Sequence, residues 1–169
     1  MHTLTIDRSL PKRALYEQIA REAAALVDGE SDAIANFANI AALLYHSLPD
    51  VNWAGFYLLK GDTLIVGPFQ GLPACVRIPI GKGVCGTAAT QRQTIVVPDV
   101  DGFPGHIACD SASRSEIVVP MIKDEVLLGV LDIDSPVLSR FDDADRAGLE
   151  RVVEALLQRG EWRTADGGR

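Results

Sequence analysis

The chain has 169 residues, of which 47% are hydrophobic, enough to bury the core of one ordinary domain without disulfide cross-links. Its formal net charge is -7 at pH 7, and its Lys and Arg residues are scattered. This charge balance argues against nucleic acid or an anionic membrane as a partner and suits a small cationic or zwitterionic ligand.

Neither the N-terminal sequence nor any later segment has the apolar run of a signal peptide or of a membrane span. The three cysteines are odd in number and too few for a disulfide scaffold, which fits thiols in a reducing compartment. We therefore expect a soluble, cytoplasmic protein with one domain over residues 1–169, of which 1–10 and 164–169 are flexible ends.

The N-terminal part of the chain predicts two antiparallel helices. Apolar residues at helical spacing predict a first helix over 11–27, which an Asp-Gly pair ends. Ser31 is predicted to cap a second helix that Leu48-Pro49-Asp50 breaks. The face of this second helix that we expect to be buried consists of Ile34, Phe37, Ala38, Ala41 and Leu44.

Strand-like sequence begins at Asn52. The strings NWAGFYLL and TLIVGPF flank a Gly61-Asp62 turn and predict a hairpin. VRIPI and TIVVP predict two further strands, on either side of a short helix that contains GVCGTAATQ. SEIVVPMI and EVLLGVLDID predict a second hairpin around Lys123-Asp124, and a last helix opens near Phe141. The Gly-, Asp- and Ser-rich segment 99–114 is predicted to be a functional surface loop.

Two aspartates lie two residues apart in the last predicted strand. Asp132 and Asp134 should therefore project from one face, which we expect Val130 and Leu128 to line as well. If buried, the two carboxylates repel each other, so a cation must bind between them or one must keep its proton. Alternatively, they face water or accept hydrogen bonds from the following turn. Glu116, at the start of the neighbouring strand, either joins this cluster or is an exposed edge charge.

The cysteines fall in one central stretch and, with the carboxyl groups, indicate thiol redox chemistry on a small polar substrate. Cys109 lies in an accessible loop where His106 or backbone amides can favour the thiolate, so it is the best candidate nucleophile. Cys85 lies at a helix start that can lower its pKa, but its small apolar neighbours favour a packed, inert thiol. Cys75 lies in a glycine-flanked loop and is either a second redox thiol or an exposed cysteine without a role.

Three further patterns in the sequence bear on ligand binding. A zinc site of His106 and the cysteines is disfavoured because the close C-x2-C spacing is absent. The string PIGKGVCGT is not a phosphate loop, because Val76 stands where that loop needs its first glycine. Trp53 and Tyr57 share one strand face with Gly55 between them, which is typical of plain core but also leaves room for a methyl or thioether group.

Five segments of the chain, in their order, resemble the free methionine-(R)-sulfoxide reductases. They are NWAGFYLL, GPFQGLPACVRIPIGKGVCGTA, GHIACDSASRSEIVVP, GVLDIDS and RFDDADRAGLERVVEAL, and they cover the chain from about the second helix to the last. The resemblance implies a single α+β GAF domain. Such a domain has a central antiparallel sheet of about six strands, with the N- and C-terminal helices packed on one side, and it commonly forms a homodimer.

The resemblance also implies roles for individual residues. Cys109 would be the nucleophile, Cys75 the thiol that resolves its oxidised form, and Cys85 a secondary thiol. The three carboxyl residues would hold the substrate and protonate its oxygen, and two aromatic residues would surround the substrate methyl group. These residues are Glu116, Asp132, Asp134, Trp53 and Tyr57.

The implied reaction reduces free methionine sulfoxide with electrons from thioredoxin or another dithiol. It needs no metal and no organic cofactor. The competing hypothesis is a non-catalytic GAF sensor that binds a small effector, for which the thiols would be dispensable.

Overall fold

The computed structural model describes residues 5–107 and 109–159. The elements follow the predicted order and are α1 (Lys12–Val27), α2 (Ala33–Ser47), β1 (Trp53–Lys60), β2 (Thr63–Gly71), β3 (Arg77–Pro79), α3 (Gly83–Gln91), β4 (Ile95–Val97), a 3-10 turn (Val100–Gly102), β5 (Ser115–Lys123), β6 (Val126–Ser135) and α4 (Asp143–Arg159).

The six strands form one sheet in the order β3-β2-β1-β6-β5-β4, and all neighbouring strands are antiparallel. Buried residues of α1, α2 and α4 form the main core against one face of this sheet. The short helix α3 covers the other face with a smaller apolar cluster, to which Trp53, Tyr57 and Cys85 belong. The predicted α+β architecture is thereby confirmed, and the face under α3 is the one that carries the site.

The start of α2 differs from the prediction. Asp32 caps the helix by accepting a hydrogen bond from the backbone N–H of Ala35 at 2.9 Å, so Ser31 is not the cap. Ile34 is 56% exposed and Ala38 is also exposed, contrary to the predicted buried face. Because α2 is apolar on nearly every side, its periodicity alone does not fix which side is buried. The residues that α2 buries are Asn36, Phe37, Ile40, Ala41, Leu43, Leu44 and Ser47.

A bulge near the start of β6 corrects the prediction for Leu128. The register between β5 and β6 shifts between Met121 and Ile122, opposite Gly129. Gly129 has a φ of 156°, and a Cβ there would overlap the carbonyl oxygen of Tyr57, so this position requires glycine. The extra residue turns Leu128 to the main core, on the opposite face from the predicted one.

The predicted flexible residues 164–169 lie outside the described part of the chain, as do 1–4. Within 5–10, Ile6 and Leu10 pack against the main core. None of the described helices is both long and apolar enough to cross a membrane.

Candidate active site

Adjacent strands place three carboxyl groups on the sheet face under α3. Glu116 of β5 lies directly opposite Asp134 of β6 in the ladder, and Asp132 lies two residues away from Asp134 on the same face. On the other side of β6, Trp53 lies opposite Asp134. Glu116 and Asp132 are each only 6% exposed, which rules out the alternative that these two carboxyl groups face water.

Burial gives this carboxyl cluster its electrostatic character. Loss of hydration raises the pKa of Glu116, Asp132 and Asp134 well above the ordinary range, and repulsion within the cluster raises each pKa further. The three groups therefore retain protons that isolated carboxyl groups would release. The Oδ1 atom of Asp132 is buried and has no hydrogen-bond partner among the described residues. The cluster thus combines bound protons with an acceptor that is open to a ligand.

Cys85 meets the same cluster from the first turn of α3. Its Sγ lies 3.9 Å from Oε1 of Glu116, and the thiol is 3% exposed. Burial and the neighbouring carboxyl groups raise its pKa well above the ordinary value, so the sulfur is a protonated thiol near neutral pH. Val84, Ala88 and Ala89 belong to the same apolar cluster. This packing agrees with the expectation of an inert thiol, although the sulfur also lines the cavity.

The zinc set considered from the sequence is not formed, because Cys75 and Cys109 are bonded to each other. Among the described residues, the group able to offer metal ligands within 4.8 Å of one another consists of Cys85, Glu116 and Asp132. A metal ion there would have to displace protons from all three groups, whose pKa values are raised. This donor set is therefore a poor match to a structural zinc centre.

Cys75 and Cys109 form a disulfide with a Cα–Cα distance of 5.4 Å across 34 positions of sequence. Cys109 lines the cavity together with the three carboxyl residues, whereas the cavity lining does not include Cys75. The disulfide therefore connects the carboxyl-lined cavity to the segment that precedes β3. The sequence indicated both cysteines as candidate redox thiols, but only the family resemblance implied that they react with each other.

Three hydrogen bonds hold the segment that carries Cys75. Trp53 donates its indole N–H to the carbonyl oxygen of Leu72, and Tyr57 donates its hydroxyl to that of Cys75, each at 3.1 Å. The backbone N–H of Val66 in β2 donates to the carbonyl oxygen of Val76 at 3.0 Å. We call residues 72–76 the Cys75 segment. Its attachment to β1 runs through the same two aromatic residues that line the cavity.

Trp53 and Tyr57, which we call the aromatic wall of the cavity, are supported by a third ring that the sequence did not predict. The Trp53 ring stacks on Tyr57, with centroids 5.8 Å apart, and on Phe69 of β2, at 5.2 Å. A Cβ on Gly55 would overlap both the Trp53 ring and the Phe69 side chain. The space above Gly55 is thus filled by this stack, and it is not the ligand space that the sequence suggested. Phe69 lies in the predicted strand TLIVGPF, but only the register shows that it faces Gly55.

The loop between β4 and β5 contributes polar groups that were not predicted as site residues. Asn52 donates its side-chain N–H to Oδ2 of Asp110 at 3.0 Å and to Oγ of Ser113 at 3.1 Å. Both loop residues line the cavity. Asp110 also raises the pKa of Asp134, after the larger effects of burial and Asp132. The sequence C-D-S-A-S, which follows Ala108, could have indicated these loop residues. Short polar side chains often fix loops by side-chain hydrogen bonds.

His106 lines the same cavity. From the sequence we expected it to act on Cys109, but its described contact is with Glu116. Its Nε2 lies 3.5 Å from Oε2 of Glu116. Burial lowers the pKa of His106, which favours the neutral ring near pH 7. A neutral ring beside a protonated carboxyl group is consistent with both pKa shifts, so we do not treat this contact as an ion pair.

The cavity contains about 520 Å³ of empty space, including its solvent-exposed mouth. Its lining includes both polar groups and apolar side chains, as expected for the site of a small amphipathic ligand. Besides the groups already described, the apolar lining residues are Leu72, Pro73, Ala74, Ile78, Val84 and Ile107.

The chain is similar to known proteins along most of its length. The GAF domain matches residues 13–158. Protein YtsP of Bacillus subtilis is 56% identical over 143 residues, which cover 83% of this chain and 88% of that protein. The free methionine-R-sulfoxide reductase of Escherichia coli is 54% identical over 145 residues, which cover 86% of this chain and 88% of that protein. The chain belongs to the free methionine-R-sulfoxide reductases, a family of GAF-domain enzymes.

A solved structure extends this likeness to three dimensions. The free methionine-R-sulfoxide reductase of Neisseria meningitidis, determined in complex with its substrate, has a TM-score of 0.90 and 45% sequence identity. The match covers 94% of this chain and 95% of that chain. Membership of the free methionine-R-sulfoxide reductase family, which the sequence led us to expect, is thereby confirmed. The three cysteines and the three carboxyl residues all lie within the matched GAF domain.

Proposed function

We propose that this protein reduces free L-methionine-(R)-sulfoxide to L-methionine, with Cys109 as the nucleophile and Cys75 as the resolving thiol. The observation that carries the proposal is the disulfide between these two residues at a cavity that three buried carboxyl groups line. A non-catalytic sensor of small ligands would need neither the thiols nor the retained protons. The family relatives support the same activity.

The carboxyl cluster suits a zwitterionic substrate. The ammonium group of free methionine sulfoxide supplies N–H donors, and the unpartnered Oδ1 of Asp132 is a buried acceptor for one of them. A bound cation lowers the cost of ionising Asp132 or Asp134, while a third carboxyl group can keep its proton. A methyl group can then lie against Trp53 and Tyr57, which also line the cavity.

The chemistry begins with the Cys109 thiolate and the sulfoxide sulfur. The thiolate attacks this sulfur while a protonated carboxyl group donates to the sulfoxide oxygen. The oxygen ends on Cys109 as a sulfenic acid, and methionine, reduced by two electrons, is released. The Cys75 thiol then attacks the sulfenic sulfur, water leaves, and the Cys75–Cys109 disulfide forms.

The disulfide is reset by an external dithiol, for which we propose thioredoxin, without a metal or an organic cofactor. Two electrons and two protons pass from the dithiol to the cysteines. The R epimer is selected because the oxygen must face the carboxyl cluster while the methyl group meets the aromatic wall. A homodimeric, cytoplasmic enzyme remains our expectation.

The test supplies each sulfoxide epimer of free methionine separately and measures methionine formed with thioredoxin or with dithiothreitol. We expect product from the R epimer with either reductant. Failure with both epimers and both reductants would remove the reductase assignment and favour a sensor.

Single-turnover measurements assign the thiols. Reduced Cys109→Ser should form no methionine, whereas Cys75→Ser should release one equivalent per subunit and then stop. Cys85→Ser should still pass through repeated cycles, because the Cys75–Cys109 pair remains. Equal single-turnover yields from wild type and Cys109→Ser would contradict the assignment of the nucleophile.

A further inference from the structure

Exposed apolar side chains flank Cys75 in the sequence. Leu72 is 63% exposed and Val76 is 59% exposed, and these residues bound the Cys75 segment on both sides. They are the two most exposed of the large apolar side chains in the described part of the chain. Exposed apolar residues that adjoin a functional group often mark a protein-binding surface.

The same part of the chain has a charge opposite to that of the whole. No Asp or Glu lies between Asp62 and Asp99, while Arg77, Lys82 and Arg92 do, in a chain with a net charge of -7. Arg77 and Lys82 follow Val76 closely and are both exposed. The exposed residues that follow Cys75 in the sequence are thus apolar or basic, which suits a partner whose contact surface combines apolar and acidic residues.

The two sulfurs of the disulfide are not equivalent toward an incoming thiolate. Cys109 lines the cavity together with Glu116, Asp132 and Asp134, whereas Cys75 is not among the residues that line it. Cys75 lies on the segment whose neighbours are exposed and which lacks acidic residues. Attack on Cys75 also makes Cys109 the leaving group, so the nucleophile of the proposed reaction is regenerated in the first step.

We propose that residues 72–82 form the docking surface for a small dithiol protein reductant, which attacks the Sγ of Cys75. This inference rests on the proposed function, because it concerns the disulfide that the proposed reaction produces. One reductant thiolate bonds to Cys75, and the Cys75–Cys109 bond breaks with release of the Cys109 thiolate. The second reductant thiol then displaces Cys75, and the reductant leaves as a disulfide while both cysteines take up protons.

The first experiment compares a protein reductant with a small one. Val76→Asp and the double variant Arg77→Glu/Lys82→Glu should each lower kcat/KM for thioredoxin about tenfold at saturating sulfoxide. Turnover with dithiothreitol should stay within about twofold of wild type, because a small reductant needs no docking surface. The matched controls are Val126→Asp, an exposed apolar residue at 46%, and Arg13→Glu, an exposed cation on α1; neither should change either reaction.

The second experiment uses wild-type protein and therefore does not depend on how a variant folds. Oxidised enzyme is mixed with a thioredoxin whose second active-site cysteine is replaced by serine, and the trapped mixed disulfide is mapped by peptide mass spectrometry. We expect the reductant on Cys75. Predominant capture on Cys109 would overturn the proposal.

The outcomes separate this inference from the proposed function. If wild-type protein forms no methionine with dithiothreitol, the proposed function fails. If it does, but the surface variants and the controls use thioredoxin equally well, only the docking surface is refuted. If a surface variant loses activity with both reductants, the mapped position of the mixed disulfide decides.

Discussion

The hydroxyl of Tyr57 donates a hydrogen bond to the carbonyl oxygen of Cys75 at 3.1 Å, so a residue of the cavity wall holds the segment that carries one sulfur of the disulfide. Desolvation raises the pKa of Tyr57 far above its ordinary value, which keeps the hydroxyl protonated as the donor. In the proposed mechanism, substrate binding and disulfide formation would both depend on this side chain. This coupling can be tested by removing the hydroxyl and keeping the ring.

Tyr57→Phe should slow formation of the Cys75–Cys109 disulfide after the first turnover by about two- to tenfold, the range expected for one lost hydrogen bond. The first release of methionine should be much less affected, because the aromatic wall remains. Rapid-quench measurement of methionine and of free thiols separates the two steps. A variant that slows both steps equally would show that the hydroxyl acts on the substrate and not on the Cys75 segment.

The carboxyl cluster predicts an unusual dependence of stability on pH. Glu116, Asp132 and Asp134 have raised pKa values in the folded protein, so the folded state binds protons that the unfolded chain releases near its ordinary carboxyl pKa of about 4. Their contribution is fully present below that pH and is lost as the pH rises through the folded values. Two groups with lowered pKa values act in the opposite direction: Asp142, whose pKa the Lys12 hydrogen bond lowers to about 2, does so only at acid pH, and the single residue His106, whose pKa burial lowers, partly offsets the three carboxyl groups below about pH 6.5.

Urea unfolding of the ligand-free protein should therefore give a lower free energy of unfolding at about pH 8 than at about pH 5. Asp132→Asn removes one of the buried ionisations and should reduce this difference. A wild-type difference of zero, or a slope that Asp132→Asn leaves unchanged, would show that the cluster does not retain protons. The exposed variant Asp143→Asn serves as the control for a general change of charge.

Local sequence patterns predicted the elements and the common face of Asp132 and Asp134, because a strand alternates its side chains with a period of two. These patterns did not predict the orientation or burial of a residue where contacts between segments distant in sequence determine it. Leu128 turns to the other face because of the bulge at Gly129, which exists where β1 passes too closely for any Cβ. Whether Glu116 is buried depends on its partner Asp134 and on α3 above it, neither of which lies near Glu116 in sequence.

Parts of the cavity depend on long-range pairing as well. Phe69 reaches Trp53 through the register of β1 and β2, and Asn52 reaches Asp110 across 58 positions of sequence. The disulfide partner of Cys109 was available only from the family resemblance, since composition and spacing do not determine pairing. Sequence patterns therefore predicted the reactive thiol and carboxyl groups of the site better than the residues that surround them.

A buried carboxylate outside the site is predicted to control stability. Asp145 is fully buried and accepts hydrogen bonds from Lys12 at 2.6 Å, Arg140 at 2.9 Å and the hydroxyl of Tyr16 at 2.8 Å, which join α1 to α4. Asp145→Ala would leave these donors unpaired and should lower the free energy of unfolding by about 3–5 kcal/mol. The exposed neighbour Asp143→Ala should cost less than about 1 kcal/mol. Denaturant titration of both variants compares them, and equal losses would contradict the role of this buried network.

Asp134 should affect substrate binding and the chemical step together. It belongs to the carboxyl cluster and lies opposite both Glu116 and Trp53 in the sheet, so it is the member of the cluster that adjoins an aromatic residue of the cavity. Asp134→Asn keeps the shape but removes the negative charge and the transferable proton. We expect kcat/KM for the R epimer to fall about 10²-fold or more, through both a higher KM and a lower kcat. With dithiothreitol as reductant, the measurement does not depend on binding of thioredoxin. The comparison variant is Asp110→Asn, in the loop that lines the cavity. Wild-type kinetics in Asp134→Asn would remove this carboxyl group from the reaction and leave Glu116 and Asp132 as the candidate acids.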